Sequence, residues 1–546
     1  MRSSVERALI GLLIAPVAAW CQQTPVISSL VNSASYQPTV EYPGFIVTIF
    51  GTNLATATAS APSVPLPLKL GGTTVTVGGT AAPLFYVSPT QINLQMPGQG
   101  SGAASTSVVV STSAGSSAPY DPYTVTPNAW LAGGIFTTGA SGCGQAAVLN
   151  VAANGGLSLN SSANSASPGA SIAVYGTGIA QIINPPIGLA SPSSPLLGAL
   201  ADPGFAFDFV ATPGNAVSSE WAGLAPGSVG LDQANVQIPA TVREGCAVPL
   251  QAAYSTDSEG ISQPVTIAIR QGGGQCVDPP AAGYGQIVWK KTVNTTAQNV
   301  VSETDTMTVL LQVSPGQQAP PAPVYSDGCP GNVCNTTLPT SMTLFGPACP
   351  VPGYRGLTAG TVTIQGPDLS AAQVPVVPYH QGQLGGLSAY QATLPAGTVQ
   401  AGNFTVTTSG GAEVGPFQAA LKIGADIQIQ TPLAGLGAFG NCEPLTINWT
   451  GGDPKSWVTV SFIQVYAGYE GVNFAYQTHT SNGTMTIPVP VPPANSCGPP
   501  PHPIVLTIEV DPDPSEITTF SASGLSLGGQ ATWRYIHPFQ AGLDIH

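Results

Sequence analysis

The chain of 546 residues is poor in charged side chains, and basic residues are the scarcest. Charged residues make up 7% of the sequence, against about 25% in an average soluble protein. No Lys or Arg occurs between Lys69 and Arg243, and the formal net charge is −14. So few cations cannot neutralise a phosphate backbone or hold an anionic lipid surface. We therefore expect no nucleic-acid partner and no adhesion to anionic membranes.

Histidine is rare as well, which limits the catalytic mechanisms open to the chain. The five histidines all fall in the C-terminal third, at His380, His479, His502, His537 and His546. Nucleophilic catalysis needs a Ser or Cys beside a His that takes its proton. We therefore predict a protein without enzymatic activity. The alternative is a hydrolase with an unrecognised site in the C-terminal domains.

Turn formers and strand formers, by contrast, are abundant. The chain contains 65 glycines and 54 prolines, and 43% of its residues are hydrophobic. Val and Thr favour strands, while Gly and Pro interrupt them. A length of 546 residues corresponds to about three or four domains. The composition therefore predicts an all-β chain of many short strands.

The first residues have the features of an export signal. Arginines near the start precede a short apolar run, Ala8–Ala19, that ends in small residues. We predict a signal peptide over residues 1–21 and a secreted, cell-surface or periplasmic location. Lipidation of Cys21 is an alternative, but Trp20 stands where a lipobox has a small residue. The run is too short to cross a membrane, so no membrane span is expected once the signal is removed.

The nine cysteines agree with export, because exported proteins keep such residues as disulfides. We favour the pairs Cys246–Cys276 and Cys442–Cys497, since each lies inside or at the edge of one proposed domain. The pairing of four others stays open: Cys143, Cys329, Cys334 and Cys349. Cys329 and Cys334 also resemble half of a metal site, but no second pair and no nearby His completes it, which favours a disulfide-closed loop.

Two phrases recur in the same order along the N-terminal half. Residues 43–55 read PGFIVTIFGTNLA and residues 168–180 read PGASIAVYGTGIA. QINLQMP at 91–97 and QANVQIP at 233–239 follow them. Such recurrence predicts a duplicated structural unit. The shared positions are Pro, Gly, alternating apolar residues and a Gly-Thr turn, so we expect the repeat to be scaffold and any function to reside in what differs between the copies.

These phrases carry a family resemblance. Together with VNSASYQP at 31–38, APLFYVSPTQINLQMP at 82–97 and GGIFTTGASGCGQAAVLN at 133–150, they resemble the Solibacter-type uncharacterised C-terminal domain family of exported acidobacterial proteins. The strand–Gly–Thr–Asn–Leu element also resembles immunoglobulin-like domains of the IPT/TIG type. The resemblance covers about residues 26–272. It implies tandem immunoglobulin-like β-sandwiches and export, with no known activity and no site residues to carry over.

The repeat phrases and the composition shifts together suggest domain boundaries. We predict a signal peptide at 1–21, immunoglobulin-like repeats at 26–127 and 128–272, an IPT/TIG-like sandwich with a Pro-rich connector at 284–424, and a C-terminal β-sandwich at 425–546. The last domain lacks the repeat phrases, so it is predicted to be a different sandwich.

The densest group of acidic residues lies in the sequence EVDPDPSE near the C-terminus. Its carboxylates are Glu509, Asp511, Asp513 and Glu516. Alternating carboxylates can share a Ca²⁺, which takes six to eight oxygen ligands. The EF-hand spacing and its Gly are missing, and a solvated turn after a strand is the competing interpretation. Calcium is therefore the one candidate cofactor, and no other is expected.

Aromatic side chains are the candidates for carbohydrate binding. Trp130 and Trp221 lie near predicted loops of the repeats, and Trp457 begins a predicted strand. Core packing is the competing interpretation for Trp457 and for Trp449, because sandwiches often bury a tryptophan. Our leading prediction is a non-enzymatic exported protein that acts as a cell-surface or extracellular structural or interaction module, adhesion-like, with an unknown protein or carbohydrate partner. A carbohydrate-binding protein that uses exposed loop aromatics is the alternative.

Overall fold

The computed structural model describes the chain except at its ends and in several connecting segments. The described residues are 23–38, 43–98, 107–121, 133–180, 182–200, 202–208, 216–253, 262–295, 301–316, 349, 351–378, 388–431, 445–466, 469–487 and 504–540. The predicted signal peptide, Trp130, Cys442 and Cys497 lie outside them. Nearly all regular structure is β, in several antiparallel sheets, which confirms the prediction of tandem immunoglobulin-like β-sandwiches.

The first repeat is a sandwich of two sheets around its own core. Its strands are β1 Val26–Asn32, β2 Ile46–Thr52, β3 Ala59–Ser60, β4 Lys69–Leu70, β5 Thr73–Val77, β6 Thr80–Ala81, β7 Leu84–Val87, β8 Gln91–Gln95, β9 Val108–Thr112 and β10 Gly115–Ser116. One sheet has the order β1-β2-β8-β7-β3, and the other has β10-β9-β5-β4 with β6 beside β5. Alternation along β5 buries Thr73, Val75 and Val77 and leaves Thr74 and Thr76 only partly covered, as a half-buried strand requires.

The second repeat has the same plan and a separate core. Its strands are β11 Gly134–Ile135, β12 Gly144–Gln145, β13 Val148–Val151, β14 Leu157–Leu159, β15 Ser171–Thr177, β16 Gly204–Phe207, β17 Ala216–Ser218, β18 Trp221–Leu224, β19 Asp232–Gln237, β20 Gly245–Ala253 and β21 Val265–Ile269. The sheets have the orders β14-β13-β15-β19-β18, with β11 on β15, and β12-β21-β20-β16-β17.

The duplication is visible in the strand register. In the first repeat Ile46 pairs with Gln95 across β2 and β8. In the second repeat Ser171 pairs with Gln237 across β15 and β19. The repeated phrases place these residues at the same positions, so the two copies can be compared residue by residue.

The C-terminal half contains the remaining strands. They are β22 Ala281–Thr295, β23 Val301–Pro315, β24 Arg355–Gly356, β25 Val362–Gly366, β26 Leu369–Val374, β27 Val376–Pro378, β28 Ser388–Leu394, β29 Gly402–Thr408, β30 Gln418–Ile423, β31 Ile427–Ile429, β32 Leu445–Gly451, β33 Trp457–Tyr466, β34 Tyr469–His479, β35 Thr484–Ile487, β36 Ile504–Asp511, β37 Thr518–Phe520 and β38 Gly529–Gln540. The large sheet has the order β27-β28-β23-β22-β38-β36-β33-β34, with β24 on β23 and β37 on β38. Smaller sheets have the orders β26-β25-β29-β30 and β31-β32-β35.

Strands on both sides of the predicted boundary at 424/425 share the large sheet. Strand β22 pairs with β23 in antiparallel fashion and with β38 in parallel. One hydrophobic core extends through both parts and includes Trp289, Phe404, Trp449 and Trp533. Residues 284–424 and 425–546 therefore do not close as two separate sandwiches, because a sheet built from distant segments joins them.

Helical structure is confined to short turns in the part of the chain that is described. Two 3-10 helices span Thr480–Asn482 and Pro514–Glu516. Among the residues searched, no helix has the length and apolar character that a bilayer crossing needs.

Candidate functional site at the joint between the repeats

The two aromatic candidates that the structure describes, Trp221 and Trp457, do not form an exposed platform. Trp457 is 7% exposed, and its ring packs on His479 with 3.8 Å between centroids, so the prediction of a surface aromatic at this position is wrong. Trp221 is partly buried on β18 and lies over Gly223. Trp130 lies outside the described residues.

The four acidic candidates are not gathered around one ion position. Asp511 and Glu509 point toward Arg534, whose nitrogens lie 2.6 Å and 3.6 Å from them. Asp513 instead accepts the backbone N–H of Ser515 at 2.9 Å and caps the last 3-10 helix. Glu516 pairs with Lys455 at 3.7 Å. No group of three or more His, Cys, Asp or Glu among the described residues could hold a metal, so these residues are not arranged as the candidate calcium site: three of the carboxylates already have a cation, and Asp513 caps the helix.

The two described histidines contact groups that are not nucleophiles. His479 Nδ1 lies 3.3 Å from the carbonyl oxygen of Lys455. His537 Nε2 lies 3.0 Å from Asp426 Oδ1. His380, His502 and His546 lie outside the described residues. The absence of enzymatic activity stays a prediction.

Two disulfides are present in the described chain. One is the predicted Cys246–Cys276 bond, with its ends 30 residues apart. The other joins Cys143 to Cys349 over 206 residues. Sequence reasoning had left that pairing open, because its ends lie in different predicted domains. The predicted Cys442–Cys497 pair lies outside the described residues.

One difference between the two repeats is the length of the segment that follows the first repeated phrase. Eleven residues separate Ala180 from Pro192 in the second repeat, whereas six separate Ala55 from Pro62 in the first. The longer segment crosses to the first repeat, where Gly188 N donates to Gln95 Oε1 at 2.6 Å. It defines the candidate functional site, which we call the joint.

The first repeat fills the joint with Phe45. A Cβ atom at Gly178 would lie 2.6 Å from the Phe45 ring, and Gly178 has φ of +73°. Its counterpart in the first repeat is Asn53, which also has a positive φ of 57°. Both residue types tolerate this conformation, so the requirement for glycine at 178 comes from the approach of Phe45.

Buried polar groups complete the joint. Ile46 N donates to Thr177 Oγ1 at 2.8 Å, and Asn32 Nδ2 donates to the carbonyl of Thr177 at 3.1 Å. Gln263 of the second repeat donates to the carbonyl oxygens of Ala34 and Ile135 at 3.2 Å and 2.7 Å. The two bonds to Thr177 and the bond from Gln263 to Ala34 cross between the repeats, whereas the Gln263–Ile135 bond lies within the second repeat. All except the part-buried Ile46–Thr177 bond are buried. Removing either partner of such a bond leaves a buried polar group unsatisfied, at about 1–3 kcal/mol.

Asp232 is the only carboxylate in the described lining of the joint cavity, which measures about 280 Å³. The lining also includes Phe45, Ala180, Pro185 and Leu224. Asp232 Oδ2 accepts the backbone N–H groups of Ile179 and Ala180 at 2.9 Å and 3.1 Å. The first repeat has Thr90 at this place. One carboxylate among apolar residues can order a turn, but it provides neither a metal ligand set nor an acid–base pair.

Burial raises the pKa of Asp232 to about 8, although backbone hydrogen bonds oppose the shift. Because the folded-state pKa lies above the unfolded value, the folded protein binds more protons between about pH 4 and pH 8, and stability falls as pH rises through that range. Asp232→Asn is expected to flatten this dependence. Urea unfolding of the full chain at pH 5 and pH 8 measures it, with the exposed Asp202→Asn as control. A stability difference between Asp232→Asn and wild type that is equal at both pH values would contradict the prediction.

Sequence reasoning missed Gln95, Asp232 and Gln263 as joint residues. Two signals were available for part of this set. Asp232 stands directly before the second repeated phrase, where the first copy has Thr90, and the segment after Ala180 is longer than its counterpart. Nothing in the sequence distinguishes Gln95 from Gln237, which occupy the same place in the two copies.

A disulfide and polar contacts also connect the second repeat to the C-terminal half. Besides the Cys143–Cys349 bond, Arg243 Nε lies 2.6 Å from Asp208 Oδ1, and its Nη2 donates to Tyr354 OH at 2.8 Å. The Tyr354 hydroxyl bonds to Asp208 as well. Burial raises the pKa of Tyr354, so the phenol stays protonated as a donor.

Residues 26–125 match the family model of the IPT/TIG domain. The first repeat is therefore an immunoglobulin-like unit of this type, as its strand–Gly–Thr–Asn–Leu element suggested. The match covers less than a fifth of the chain, and the wider Solibacter-type resemblance stays a prediction. No curated protein matches the chain.

Two solved structures show distant similarity. The surface glycan-binding protein PbSGBP-B from Prevotella bryantii is 10% identical, with a TM-score of 0.12, over 44% of this chain and 42% of that one. A mutant of Salmonella alpha-2-macroglobulin is 9% identical, with a TM-score of 0.11, over 92% of this chain and 29% of that one. The chain thus spans less than two thirds of the length of either protein. Similarity this low gives no information on ligand or activity.

Proposed function

We propose that the protein is a non-enzymatic, exported chain of immunoglobulin-like sandwiches that acts at the cell surface or outside the cell as a structural or interaction module. The observation that carries the proposal is the construction of the joint. Phe45 packs against Gly178, Thr177 accepts from the Ile46 N–H, and Gln263 donates to the Ala34 carbonyl, so each of these contacts joins the two repeats. Phe45, which differs between the copies, and Thr177, which they share, together hold the copies in one arrangement.

A fixed arrangement suits a protein that presents binding surfaces at set distances. Flexible linkers rich in Gly and Ser would leave neighbouring domains free to rotate. Here the Cys143–Cys349 disulfide and the Arg243–Tyr354 hydrogen bond connect the second repeat to the C-terminal half. Two disulfides also suit an oxidising compartment. The IPT/TIG match supports an interaction module of immunoglobulin-like type.

Two measurements test the proposal. The purified full chain is expected to leave a panel of glycoside, ester and peptide substrates unchanged, and turnover that survives repurification would overturn the non-enzymatic part. When produced in a bacterial host with its N-terminal residues retained, the protein is expected to be exported. A version lacking residues 1–21 is the control and should stay in the cytoplasm. Equal distribution of the two versions would contradict export.

A further inference from the structure

A second cavity lies between the two repeats and shares no lining residue with the joint cavity. It measures about 260 Å³, and we call it the cleft. Its lining combines aromatic residues with polar ones, among them Tyr36, Phe85, Phe136, Ser33, Thr48 and Asn93. Phe136 belongs to the second repeat and the others to the first. The three aromatic residues are all partly exposed, so the cleft is open to solvent.

The part of the second repeat that lines the cleft is held against the first repeat. Tyr36 OH donates to the carbonyl oxygen of Ala140 at 3.0 Å, and Ala140 also lines the cleft. A Cβ atom at Gly142 would lie 2.9 Å from a backbone oxygen of the first repeat, so the segment passes close against it. The next residue, Cys143, is fixed by its disulfide to Cys349. Both walls are therefore in place before a ligand arrives, which lowers the entropic cost of binding.

The polar groups of the cleft form a chain of hydrogen bonds with a fixed direction. Asn93 Oδ1 accepts from Gln91 Nε2 at 2.8 Å and from Thr48 Oγ1 at 3.2 Å. Thr48 has a single hydroxyl hydrogen, so the Ser33 hydroxyl, 2.7 Å away, donates to Thr48 Oγ1. Among the described residues, Asn93 Nδ2 then has no acceptor and Ser33 Oγ receives no hydrogen bond. The cleft therefore offers one donor group and one acceptor atom to a ligand.

This lining favours a neutral ligand that has both hydroxyl groups and apolar faces. A hydroxyl donates and accepts, so hydroxyl groups satisfy Asn93 Nδ2 and Ser33 Oγ together. The faces of the three aromatic rings attract C–H groups, because the π-electrons make these faces negative. No charged side chain is among the described residues that line the cleft, which leaves a charged ligand without a counter-charge. A sugar ring has the required combination, since its hydroxyl groups surround faces of C–H bonds.

A proline-rich peptide is the competing occupant, because such peptides bind grooves lined by aromatic side chains. Those grooves continue over several residues of the peptide. The cleft, at about 260 Å³, is close to the lower end of small-molecule sites, which measure about 300–1,000 Å³. A proline also has no N–H group to donate to Ser33 Oγ. The cleft therefore suits a small sugar better than a peptide.

The second repeat keeps the amide pair of this site but lacks the hydroxyl between the strands. Gln233 Nε2 donates to Asn235 Oδ1 at 2.9 Å, as Gln91 does to Asn93 in the first repeat. Asn235 stands opposite Ala173, whereas Asn93 stands opposite Thr48. The hydrogen-bond chain that orients the Asn93 amide is thus complete only in the first repeat, and Asn235 provides a matched control.

We infer that the cleft binds a neutral saccharide of one or two rings. The sugar packs against Phe85 and Phe136, and its hydroxyl groups accept from Asn93 Nδ2 and donate to Ser33 Oγ. Because the lining comes from both repeats, the ligand contacts both at once. This inference rests on the proposed interaction role and names the class of ligand.

A glycan array of neutral mono- and disaccharides, probed with the labelled full chain, tests the ligand class. Binding to neutral sugars is expected, and sulfated or sialylated glycans should not improve it. Isothermal titration calorimetry with the strongest neutral mono- or disaccharide of the array then gives the affinity for the variants. A peptide of ten prolines is titrated in the same way and is expected not to bind.

Asn93→Ala is expected to weaken saccharide binding about tenfold, because it removes the free amide donor. Phe136→Ala is expected to weaken it about tenfold as well, through the lost ring contact. Phe136→Tyr keeps the ring and should keep the affinity, which separates a binding effect from a folding effect. The control Asn235→Ala removes the matching amide of the second repeat and should leave binding unchanged. Urea unfolding midpoints verify that each variant is folded.

Four results would overturn the inference: no binding to any neutral saccharide of the array, binding confined to charged glycans, equal affinity of wild type and Asn93→Ala, or equal weakening by Asn93→Ala and Asn235→Ala. Saturable binding of the proline peptide that competes with the sugar would assign the cleft to the other class of ligand. None of these outcomes alters the substrate-panel or export results, so the two proposals fail separately.

Discussion

Arg534→Met is expected to destabilise the large C-terminal sheet by about 3–5 kcal/mol, the cost of removing one partner from a buried ion pair. Arg534 is the cation between two carboxylates on the neighbouring strand, Asp511 at 2.6 Å and Glu509 at 3.6 Å. The side chain of Asp511 is 4% exposed. Burial and the neighbouring Asp511 raise the pKa of Glu509, and Arg534 opposes this shift. Without the guanidinium, Lys290 is the nearby cation that remains.

Equilibrium urea unfolding of the full chain, with hydrogen exchange along β36 and β38, measures the effect. The combined variant Arg534→Met, Glu509→Gln, Asp511→Asn is expected to recover most of the lost stability, because no unpaired charge stays buried. Arg355→Met is the matched control: its partner is Glu413, and its side chain is 56% exposed. Exposed pairs of this kind contribute about 0–1 kcal/mol. Equal losses for Arg534→Met and Arg355→Met would refute the assignment.

Local patterns predicted individual strands well. The alternating sequences Thr73–Val77 and Pro264–Arg270 contain strands β5 and β21, although β21 is buried on both faces. The repeated phrases also predicted two copies with one register, which the pairs Ile46–Gln95 and Ser171–Gln237 show. These features depend on neighbouring residues, so sequence is sufficient to find them.

Pairings between distant segments could not be predicted in this way. Strand β22 lies beside β38, with Gly285 opposite Gly529. Neither strand carries a residue pattern that specifies its partner, because a parallel pairing has no turn to mark it. For the same reason Trp457 was taken as a surface candidate. Its burial depends on His479 across β34, which the sequence of β33 does not reveal.

Two glutamines at the same place in the repeated phrase have different environments in the structure. Gln95 and Gln237 stand in nearly identical phrases, yet Gln95 is buried and Gln237 is exposed. What separates them is the longer segment after Ala180, which reaches only the first repeat. A difference between the copies thus changes the environment of a residue that the copies share.

The Cys143–Cys349 disulfide is expected to contribute more to stability than Cys246–Cys276. The first closes a loop of 206 residues and the second a loop of 30. Cross-linking distant residues removes more conformational entropy from the unfolded chain, about 5 kcal/mol for the longer loop and about 4 kcal/mol for the shorter one. The longer bond also holds the second repeat near Tyr354, which contacts Arg243.

Urea unfolding of two double variants tests this order. Cys143→Ser, Cys349→Ser is expected to lose about 3–5 kcal/mol, and Cys246→Ser, Cys276→Ser about 1 kcal/mol less. An equal or larger loss in the second variant would contradict the expectation. Hydrogen exchange separates a local from a general effect: loss of the longer bond should speed exchange around Arg243 and leave protected the Leu66 amide, which donates to Gly188 O in the joint at 2.8 Å. If it does, the joint between the repeats is stable without the covalent bond, and the disulfide acts on the connection between the second repeat and the C-terminal half.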